Sequence, residues 1–342
     1  MTETKVLFLW KADRKLINHL NSNLNKKGNI KTVFPKDLSQ KNLLRHAEDA
    51  DVMVGWRPDM DLLLSAKKLK LFINPGTGVR HQINNFRELR KVSKAVLVNG
   101  HGHSYSTAQH TVAMLLALMN RIVTHHNRMK NGIWETSDDE DLYGSSIQLK
   151  NRNIGLLGYG AINRHVHRFL SGFDNKFNIL KFSWKDHYGK FPTPVKKFNS
   201  KQLHSFLKES DILIIAVPHT DLTEDLIKAK ELKLLGKTGL LVNVARGMVV
   251  NENDLYAALK NNIIAGAALD VWYNYKPEKD KEGKMFPAAK PFGKLENVIL
   301  SPHRAASPFE DLSRWDEVIE NIRKVSLGKK NYLNVVDLDK EY

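Results

Sequence analysis

The sequence predicts an α/β protein made of two doubly wound domains with parallel sheets. Three observations carry this prediction: two series of short apolar runs, amphipathic stretches between the runs, and a glycine-containing turn in the second series. Alternation of apolar strands with amphipathic helices is typical of parallel sheets that are covered by helices. At 342 residues, the chain is long enough for two such domains with ordinary cores.

The first series of apolar runs predicts the strands of the first domain. These runs are Val6–Trp10, Val52–Trp56, Leu69–Asn74 and Ala95–Asn99. Amphipathic helices are predicted between them, at Asp13–Lys26 and Leu38–Ala47. An apolar-periodic segment from Thr107 to about Lys130 then predicts one long helix that connects the two domains.

The second series of apolar runs follows the polar stretch Glu135–Ser146. Its predicted strands are Ile154–Leu157, Phe177–Phe182, Ile212–Val217, Leu240–Val244, Ala265–Asp270 and Val298–Leu300. The segment Tyr273–Leu295 is rich in Lys, Pro and Gly, which predicts a loop. A helix is predicted at Glu310–Leu327, followed by an extended tail at Tyr332–Leu338.

Composition narrows the class of protein. The 42% hydrophobic and 26% charged content is that of a globular protein, and no apolar run is long enough to cross a membrane. The N-terminus lacks the pattern of a signal peptide, and without cysteine there is no disulfide framework or thiolate metal site, so a cytoplasmic protein is expected. Two His-x-His pairs, His101/His103 and His165/His167, have no further ligand types nearby, and no metal site is expected.

The net charge of +16 is the unusual bulk property. Because the lysines are scattered through the chain, a solvated basic surface is favoured. Attraction of an anionic substrate or cofactor is the second interpretation and nucleic-acid binding the third. No nucleic-acid or membrane partner is expected.

The turn Gly158–Asn163 follows an apolar strand and opens a predicted helix. Gly158 permits a tight turn and Gly160 lets the backbone approach a pyrophosphate. Ala161 and Ile162 begin the helix, whose N-terminal N–H groups favour that anion. Asn163 stands where a third glycine usually permits close helix–strand packing, which weakens the motif. A glycine-rich turn in an unrelated α/β protein is the alternative interpretation.

The end of the next strand indicates which dinucleotide binds. An acidic residue usually binds the ribose 2′-OH there, but this strand ends Lys181-Phe182-Ser183-Trp184-Lys185, with Ser183 near the position of the acid. Without a carboxylate to repel it, a 2′-phosphate is tolerated, and Lys185 would attract it. The sequence therefore favours NADP over NAD, the alternative being that Lys185 is only a solvated surface lysine.

Four segments further along the chain are more specific. They are Val217-Pro218-His219-Thr220 with Thr223, Leu241–Gly247 followed by Val249–Glu252, Ala267–Val271, and Ser301-Pro302-His303. In order and spacing they resemble the D-isomer-specific 2-hydroxyacid dehydrogenases over essentially the whole chain. The resemblance implies a Rossmann cofactor domain, 109–309, inserted in a flavodoxin-like substrate domain, 1–108 and 310–342. It also implies a homodimer that pairs through the long helix.

The same resemblance implies reversible reduction of a small 2-keto acid, such as hydroxypyruvate or glyoxylate, to a D-2-hydroxy acid by NAD(P)H. It assigns binding of the carboxylate and polarisation of the keto oxygen to Arg246, and proton transfer to His303. A guanidinium binds carboxylates bidentately and an imidazole transfers protons near neutral pH. The expected cofactor-binding residues are Thr107, Gly158, Gly160, Ala161, Ile162, Ser183, Trp184, Lys185, Val217, Pro218, Thr223, Val244, Ala245, Arg246, Asp270 and His303.

Tyr275 stands where the family usually has a catalytic Glu paired with the histidine, and where its formate dehydrogenase branch has Gln. Glu278 lies beyond a proline and is not assumed to replace that Glu. A neutral phenol cannot raise the pKa of His303 as a carboxylate would, so His303 is expected to titrate lower than in relatives with Glu. The departure at Tyr275, with that at Asn163, leaves a second hypothesis open: a catalytically weak, cofactor-sensing binding protein on the same fold.

A glycine-rich loop in the first domain resembles the family loop whose backbone N–H groups receive the substrate carboxylate. Its residues are Gly76, Thr77, Gly78 and Val79. Arg80 follows where the family usually has Asp, and would bind a second anionic group on the substrate; an exposed arginine behind the loop is the alternative. His103 aligns with a substrate-contacting Asn of the formate dehydrogenase branch.

Overall fold

The computed structural model describes residues 3–24, 29–134, 146–185, 189–307 and 311–342. The chain divides into two compact units, Met1–His103 with Phe309–Tyr342, and Ser104–Pro308. The first boundary between the units lies after His103 and so before the predicted boundary at 108. The reason is that the helix that begins at Ser104 packs within the second unit. Both units are α/β with parallel sheets, so the predicted fold class is confirmed.

The first unit contains a five-stranded parallel sheet. Its strands are β1 (Thr4–Phe8), β2 (Ile30–Val33), β3 (Val52–Val54), β4 (Leu71–Asn74) and β5 (Val96–Asn99). Its helices are α1 (Arg14–Leu24), α2 (Gln40–Ala47), α3 (Met60–Ser65), α4 (Arg80–Leu89) and the C-terminal α11 (Asp316–Ser326). The strand order β2-β1-β3-β4-β5 is the flavodoxin-like order that the family resemblance implies.

Both faces of this sheet are buried, which explains why its strands are continuous apolar runs. In β1, Val6 and Phe8 enter one core while Leu7 enters the other. The C-terminal helix completes the first core with Val318 and Ile322. The tail that follows is extended beside β5, where the Val336 N–H donates to Leu97 O at 3.0 Å.

The second unit contains a seven-stranded parallel sheet. Its strands are β6 (Asn153–Leu157), β7 (Lys176–Lys181), β8 (Val195–Asn199), β9 (Ile212–Ile215), β10 (Leu240–Asn243), β11 (Gly266–Leu269) and β12 (Val298–Leu300). Its helices are α5 (Ser104–Met119), α6 (Ile122–Lys130), α7 (Ala161–Leu170), α8 (Leu203–Lys208), α9 (Ala229–Leu235) and α10 (Glu252–Lys260). The order β12-β11-β10-β9-β6-β7-β8 reverses direction between β6 and β9, where doubly wound domains bind dinucleotides.

Several sequence predictions differ from the structure. The single long helix is two helices, because Arg121 adopts a left-handed conformation, φ 51°, between α5 and α6. The strands β2 and β8 were not predicted, since both are edge strands with mixed polar sequence. The predicted helix at 310–327 begins only at Asp316, and most of the polar stretch at 135–146 lies outside the described residues.

Predicted strand ends ran past the observed ones at Val217, Val244 and Asp270. These residues lie in the loops at the carboxyl edge of the second sheet, which is the edge where such sheets bind ligands. Within the described parts of the chain, no helix combines the length and apolar character needed to cross a membrane.

Candidate active site

The turn after β6 has the geometry that the glycine pattern predicts. Gly158 has φ 81°, and a Cβ built on it would lie 2.8 Å from the Ala216 carbonyl oxygen. A Cβ on Gly160 would meet no atom within 4 Å. Protein packing therefore requires glycine at 158 but not at 160, where the open space over the start of α7 fits the phosphates of a dinucleotide.

Asn163 fits at the start of α7, where its amide nitrogen bonds to the turn while its Oδ1 is buried without a hydrogen-bond partner among the described residues. The residue is fully buried, and its side-chain amide donates to Gly158 O at 2.7 Å and to Leu157 O at 3.3 Å. The amide thus satisfies carbonyl groups of the turn that a glycine would leave to other partners. Whether this turn binds a cofactor as tightly as a turn with a third glycine stays a prediction.

A buried hydrogen-bond chain supports the same turn. The Tyr159 hydroxyl contacts His167 Nδ1 at 2.7 Å, and His167 Nε2 contacts the Thr193 hydroxyl at 2.8 Å. His167 is fully buried beside Phe177, with ring centroids 4.0 Å apart. Burial lowers the pKa of His167 to about 4, so the ring is neutral near neutral pH. The histidine therefore has a structural role in the turn.

Lysines surround the end of β7, where the ribose of a dinucleotide is expected. Lys181 Nζ and Lys197 Nζ lie 5.4 and 5.2 Å from the centroid of the Trp184 ring, whose Nε1–H donates to Phe198 O. The Ser183 hydroxyl accepts from the Lys185 N–H at 3.2 Å. Sequence reasoning found Ser183, Trp184 and Lys185. It missed Lys197, because that residue lies on the unpredicted edge strand β8.

Two further predicted cofactor-binding residues, Thr223 and Thr107, lie in a tight turn and in a helix. After β9, the Thr223 hydroxyl donates to Pro218 O at 2.6 Å and accepts from the Thr220 N–H at 2.8 Å. This holds the segment that follows Val217 at the sheet edge. Thr107 is buried in α5, where its carbonyl oxygen accepts from the Thr111 hydroxyl at 2.7 Å.

Arg246 is presented by a turn that its neighbours hold. The Asn243 side chain donates to Arg246 O and accepts from the Ala245 N–H, both at 3.0 Å. A Cβ on Gly247 would lie 2.4 Å from Trp272 O, so the close approach of these two loops requires glycine directly after Arg246. Val244 and Ala245 are buried beneath the turn.

The guanidinium of Arg246 has little competition for an external anion. Its Nη1 donates to Ala245 O at 2.6 Å, and in the described part of the chain no carboxylate lies within ion-pair distance of it. Burial lowers the pKa of Arg246, although an arginine stays cationic in proteins. A partly buried cation of this kind is suited to bind a carboxylate.

His303 lies in a turn that Asp270 anchors. The Asp270 carboxylate is 1% exposed and accepts from the N–H groups of Arg304, at 2.8 Å, and Ala305, at 3.1 Å. The Ser301 hydroxyl also donates to Asp270. His303 has φ 55°, a strained conformation that these bonds on both sides hold in place.

Tyr275 and His303 lie side by side, and the positive charge of Arg246 acts on both of them. The His303 and Tyr275 rings have centroids 5.3 Å apart. Burial lowers the pKa of His303, and the positive charge of Arg246 lowers it further, while Asp270 acts in the opposite direction. The Tyr275 hydroxyl accepts from the Trp272 N–H at 3.2 Å, and burial raises the pKa of the phenol, so Tyr275 is neutral.

The glycine-rich loop of the first unit is held by two buried asparagines. The Asn74 side chain donates to Gly76 O, and Asn99 Nδ2 donates to Thr77 O at 2.7 Å. The loop ends in α4, which begins at Arg80 after Val79, so its backbone leads into a helix N-terminus that favours an anion. Trp56 lies beside the loop, since a Cβ on Gly76 would be 3.4 Å from its indole nitrogen.

His103 joins this loop through Thr77. The Thr77 hydroxyl donates its one proton to Gly100 O, at 3.0 Å, and therefore accepts from His103 Nε2, also at 3.0 Å. His103 thus carries a proton on Nε2 and supports the loop by way of Thr77.

The two histidines of the pair His165/His167 make other contacts. His165 contacts Tyr105 and Phe169 through its ring, and His167 belongs to the buried chain described above. A search of the described ranges finds no group of three His, Cys, Asp or Glu side chains that would hold a metal ion.

Comparison with known proteins agrees with this geometry. Residues 112–305 match a family model described as the NAD binding domain of D-isomer specific 2-hydroxyacid dehydrogenases. A glyoxylate reductase from Thermofilum pendens is 30% identical over 316 residues, which cover 88% of each chain. A D-3-phosphoglycerate dehydrogenase from Methanocaldococcus jannaschii is 29% identical over 316 residues, 89% of this chain and 55% of that longer protein.

A solved structure shares the fold over the full length. It is a D-isomer specific 2-hydroxyacid dehydrogenase from Xanthobacter autotrophicus, determined with NADPH and MES. The two chains are 22% identical, each is covered completely (100%), and the TM-score is 0.78.

Proposed function

The chain belongs to the D-isomer specific 2-hydroxyacid dehydrogenase family and is an NAD(P)-dependent oxidoreductase, and we propose that it reduces a small 2-keto acid to the D-2-hydroxy acid. One observation carries the proposal: Arg246, a partly buried cation without a carboxylate partner among the described residues, lies near His303, whose pKa its positive charge lowers. A cation beside a proton-transfer group is what reduction of a keto acid requires.

The two residues have complementary roles in this proposal. Arg246 binds the carboxylate and polarises the keto oxygen. The protonated imidazole of His303 donates a proton to the alkoxide that develops on that oxygen, and accepts it again in the reverse reaction. Asp270 holds the turn that positions His303.

The described residues fit a nicotinamide dinucleotide. The open space over Gly160 accepts the pyrophosphate at the N-terminus of α7, and the segments that begin at Val217, Val244 and Asp270 line the same sheet edge. When bound, NAD(P)H supplies the hydride.

We favour NADPH over NADH as the reductant. No acidic residue occurs in Lys181–Lys185 at the end of β7, and the amino groups of Lys181 and Lys197 both lie near the Trp184 ring, next to Ser183 and Lys185 in the chain. A carboxylate at this position selects the 2′-OH of NAD, whereas cations favour the 2′-phosphate of NADP.

For the substrate, we propose that backbone N–H groups of Gly76–Val79 bind the carboxylate, with His103 supporting the loop. The indole of Trp56 beside Gly76 favours a small keto acid such as glyoxylate or hydroxypyruvate. In this proposal Arg80, the first residue of α4, binds a second anionic group of the substrate. The substrates in the names of the two relatives above differ in whether they carry a second anionic group, because 3-phosphoglycerate has a phosphate and glyoxylate does not.

We also propose that the protein is a homodimer that pairs through α6. No residue described in this nine-residue helix is buried. Five apolar side chains of the helix and the segment after it are exposed: Ile122, Val123, Met129, Ile133 and Trp134. An apolar surface of this kind on a family member is suited to a second copy of the chain. The cytoplasmic location stays a prediction.

The test is a panel of 2-keto acids assayed with NADH and with NADPH. The proposal predicts turnover of glyoxylate or hydroxypyruvate, a larger kcat/KM with NADPH, and loss of turnover in His303→Gln. Tight binding of a nicotinamide cofactor without turnover of any member of the panel would instead favour the cofactor-sensing protein. Sedimentation of the free protein tests the dimer, with Trp134→Lys and Ile122→Lys as variants that should be monomeric.

A further inference from the structure

A hydrogen-bonded chain connects α5 with the turn that carries His303. His110, on α5, contacts the Ser301 hydroxyl through Nε2 at 2.9 Å, and that hydroxyl contacts Asp270 Oδ1. The distance from His110 Nε2 to Asp270 Oδ1 is 3.7 Å. Ser301 and Asp270 are buried, so water cannot readily replace these bonds.

The direction of each bond in the chain is determined. Both oxygens of Asp270 act as acceptors, since they receive backbone N–H groups from Arg304 and Ala305. The Ser301 hydroxyl has one proton and donates it to Asp270, so it accepts from His110. His110 therefore carries a proton on Nε2 and is the outermost donor of the chain.

The hydrogen-bonded chain ends at the carboxylate oxygen of Asp270 that holds the turn of His303. Asp270 Oδ1 receives both the Ser301 hydroxyl and the Arg304 N–H, and Arg304 directly follows His303. The Trp272 indole N–H donates to Ser301 O at 2.8 Å and fixes the other side of the turn. Because His303 has a left-handed backbone conformation, its ring position depends on these anchors.

We propose that His110 is a positioning residue for the reaction: by donating to Ser301, it holds Asp270 Oδ1 in the orientation that places the His303 imidazole for proton transfer. His110 does not itself touch the reacting atoms. The inference rests on the proposed function only for what His303 does. Outer hydrogen-bond partners that orient metal ligands change affinity or activity by about 10- to 100-fold when they are removed, and we expect a loss of similar size here.

The first experiment compares His110→Leu with His110→Gln and with the neighbouring control Gln109→Leu. His110→Leu should lower kcat for keto-acid reduction by about 10- to 100-fold while changing the Kd of NAD(P)H less than about threefold. His110→Gln keeps an N–H donor near the position of Nε2 and should recover most of the activity. Gln109, which is exposed on the same helix, should tolerate leucine.

Ser301→Ala tests whether the effect passes through the serine. If it does, His110→Leu should cause little further loss of kcat when Ser301 is already alanine, whereas independent effects would multiply. The proposal would be overturned if the losses of kcat in the two single variants multiply in the double variant. It would also be overturned by full activity of His110→Leu or by no recovery of activity in His110→Gln.

A second readout separates this inference from the proposed function. The ring Cε1–H resonance of His303, assigned from its absence in His303→Gln, should move in His110→Leu but stay in place in His110→Gln and Gln109→Leu. If the parent protein turns over no keto acid but this pattern holds, the proposed function fails and the positioning role stands. If the resonance does not respond, the positioning role fails whatever the activity.

Discussion

The imidazole of His303 packs against the phenol of Tyr275, with ring centroids 5.3 Å apart, at the position where a carboxylate usually accompanies the histidine in this family. The phenol oxygen accepts a hydrogen bond from the Trp272 N–H. Tyr275 therefore shields the ring without offering a negative charge. Burial and the charge of Arg246 lower the pKa of His303, with only Asp270 opposing them.

Replacing Tyr275 with Glu should move the pH dependence of reduction to higher pH. Reduction needs protonated His303, so kcat falls as the pH rises through the pKa of this group. A carboxylate beside the imidazole stabilises the charged form and should raise that pKa by about one unit or more. The pH profile of kcat for Tyr275→Glu measures the shift, and Tyr275→Phe, which stays neutral, is the control. Unchanged profiles in both variants would show that residue 275 does not influence the histidine.

Replacing Arg246 with Lys should lower kcat/KM for the keto acid by about 100-fold or more, because an ammonium cannot bind a carboxylate bidentately or reach the keto oxygen at the same time. The Kd of NAD(P)H should change much less. Arg168→Lys, at an exposed position on α7, is the matched control. Equal losses in the two variants would rule out a special role for Arg246.

Most strands and the polar segments at their carboxyl ends could be predicted, because buried parallel strands are apolar throughout, whereas the edge strands β2 and β8 were missed. Arg246 and His303 were assigned through the resemblance of their segments to the family. Tyr275 was found only as a departure from the family pattern, and the sequence does not show where its ring lies.

Other features required three-dimensional contacts. Lys197 lies on a strand whose sequence, VKKFN, is too polar to be recognised, and the chain from His110 to Asp270 joins residues far apart in sequence. The left-handed Arg121 that divides the long helix has no local signal such as glycine or proline. Asn163 looked unfavourable from its type alone, because only the structure shows which carbonyl groups its amide meets.

Asn163→Ala should lower the free energy of unfolding by about 1–3 kcal/mol, because it removes the side-chain amide that donates to the Gly158 carbonyl oxygen in the glycine turn. The same turn binds the pyrophosphate in our proposal, so the Kd of NAD(P)H should also rise. Urea unfolding and fluorescence titration measure the two effects. Asn131→Ala is the control, since the Asn131 amide donates to a backbone carbonyl at 2.9 Å but is exposed, and water can replace that bond. A variant at 163 as stable as the parent would contradict this account.

Stability should fall as the pH is lowered from about 6.5 toward about 4, because of His167. Its ring stays neutral in the folded protein down to a pKa of about 4, whereas in the unfolded chain it binds a proton near its ordinary value of 6.5. Between these two pH values the unfolded state binds a proton that the folded state does not. Across the whole range, the free energy of unfolding should fall by about 3 kcal/mol because of this one group.

Urea unfolding of His167→Gln between about pH 7 and about pH 4.5 tests this assignment. The variant should be less stable than the parent near neutral pH, but its stability should decline less on acidification. The exposed His125→Gln should keep the decline of the parent. Parallel declines in the parent and in His167→Gln would assign the acid sensitivity to other groups.

Ser183→Asp should change the preferred cofactor from NADPH to NADH. The new carboxylate would accept hydrogen bonds from the ribose hydroxyls of NADH and repel the 2′-phosphate of NADPH. The kcat/KM for NADPH divided by that for NADH should therefore fall by about tenfold or more.

Lys197→Ala should lower kcat/KM for NADPH but leave kcat/KM for NADH nearly unaffected, since it removes a cation without adding a negative charge. Lys176→Ala, at the opposite end of β7, controls for the general loss of positive charge. If the parent already prefers NADH, or if both lysine variants affect NADPH equally, the lysines around Trp184 are only part of the solvated basic surface.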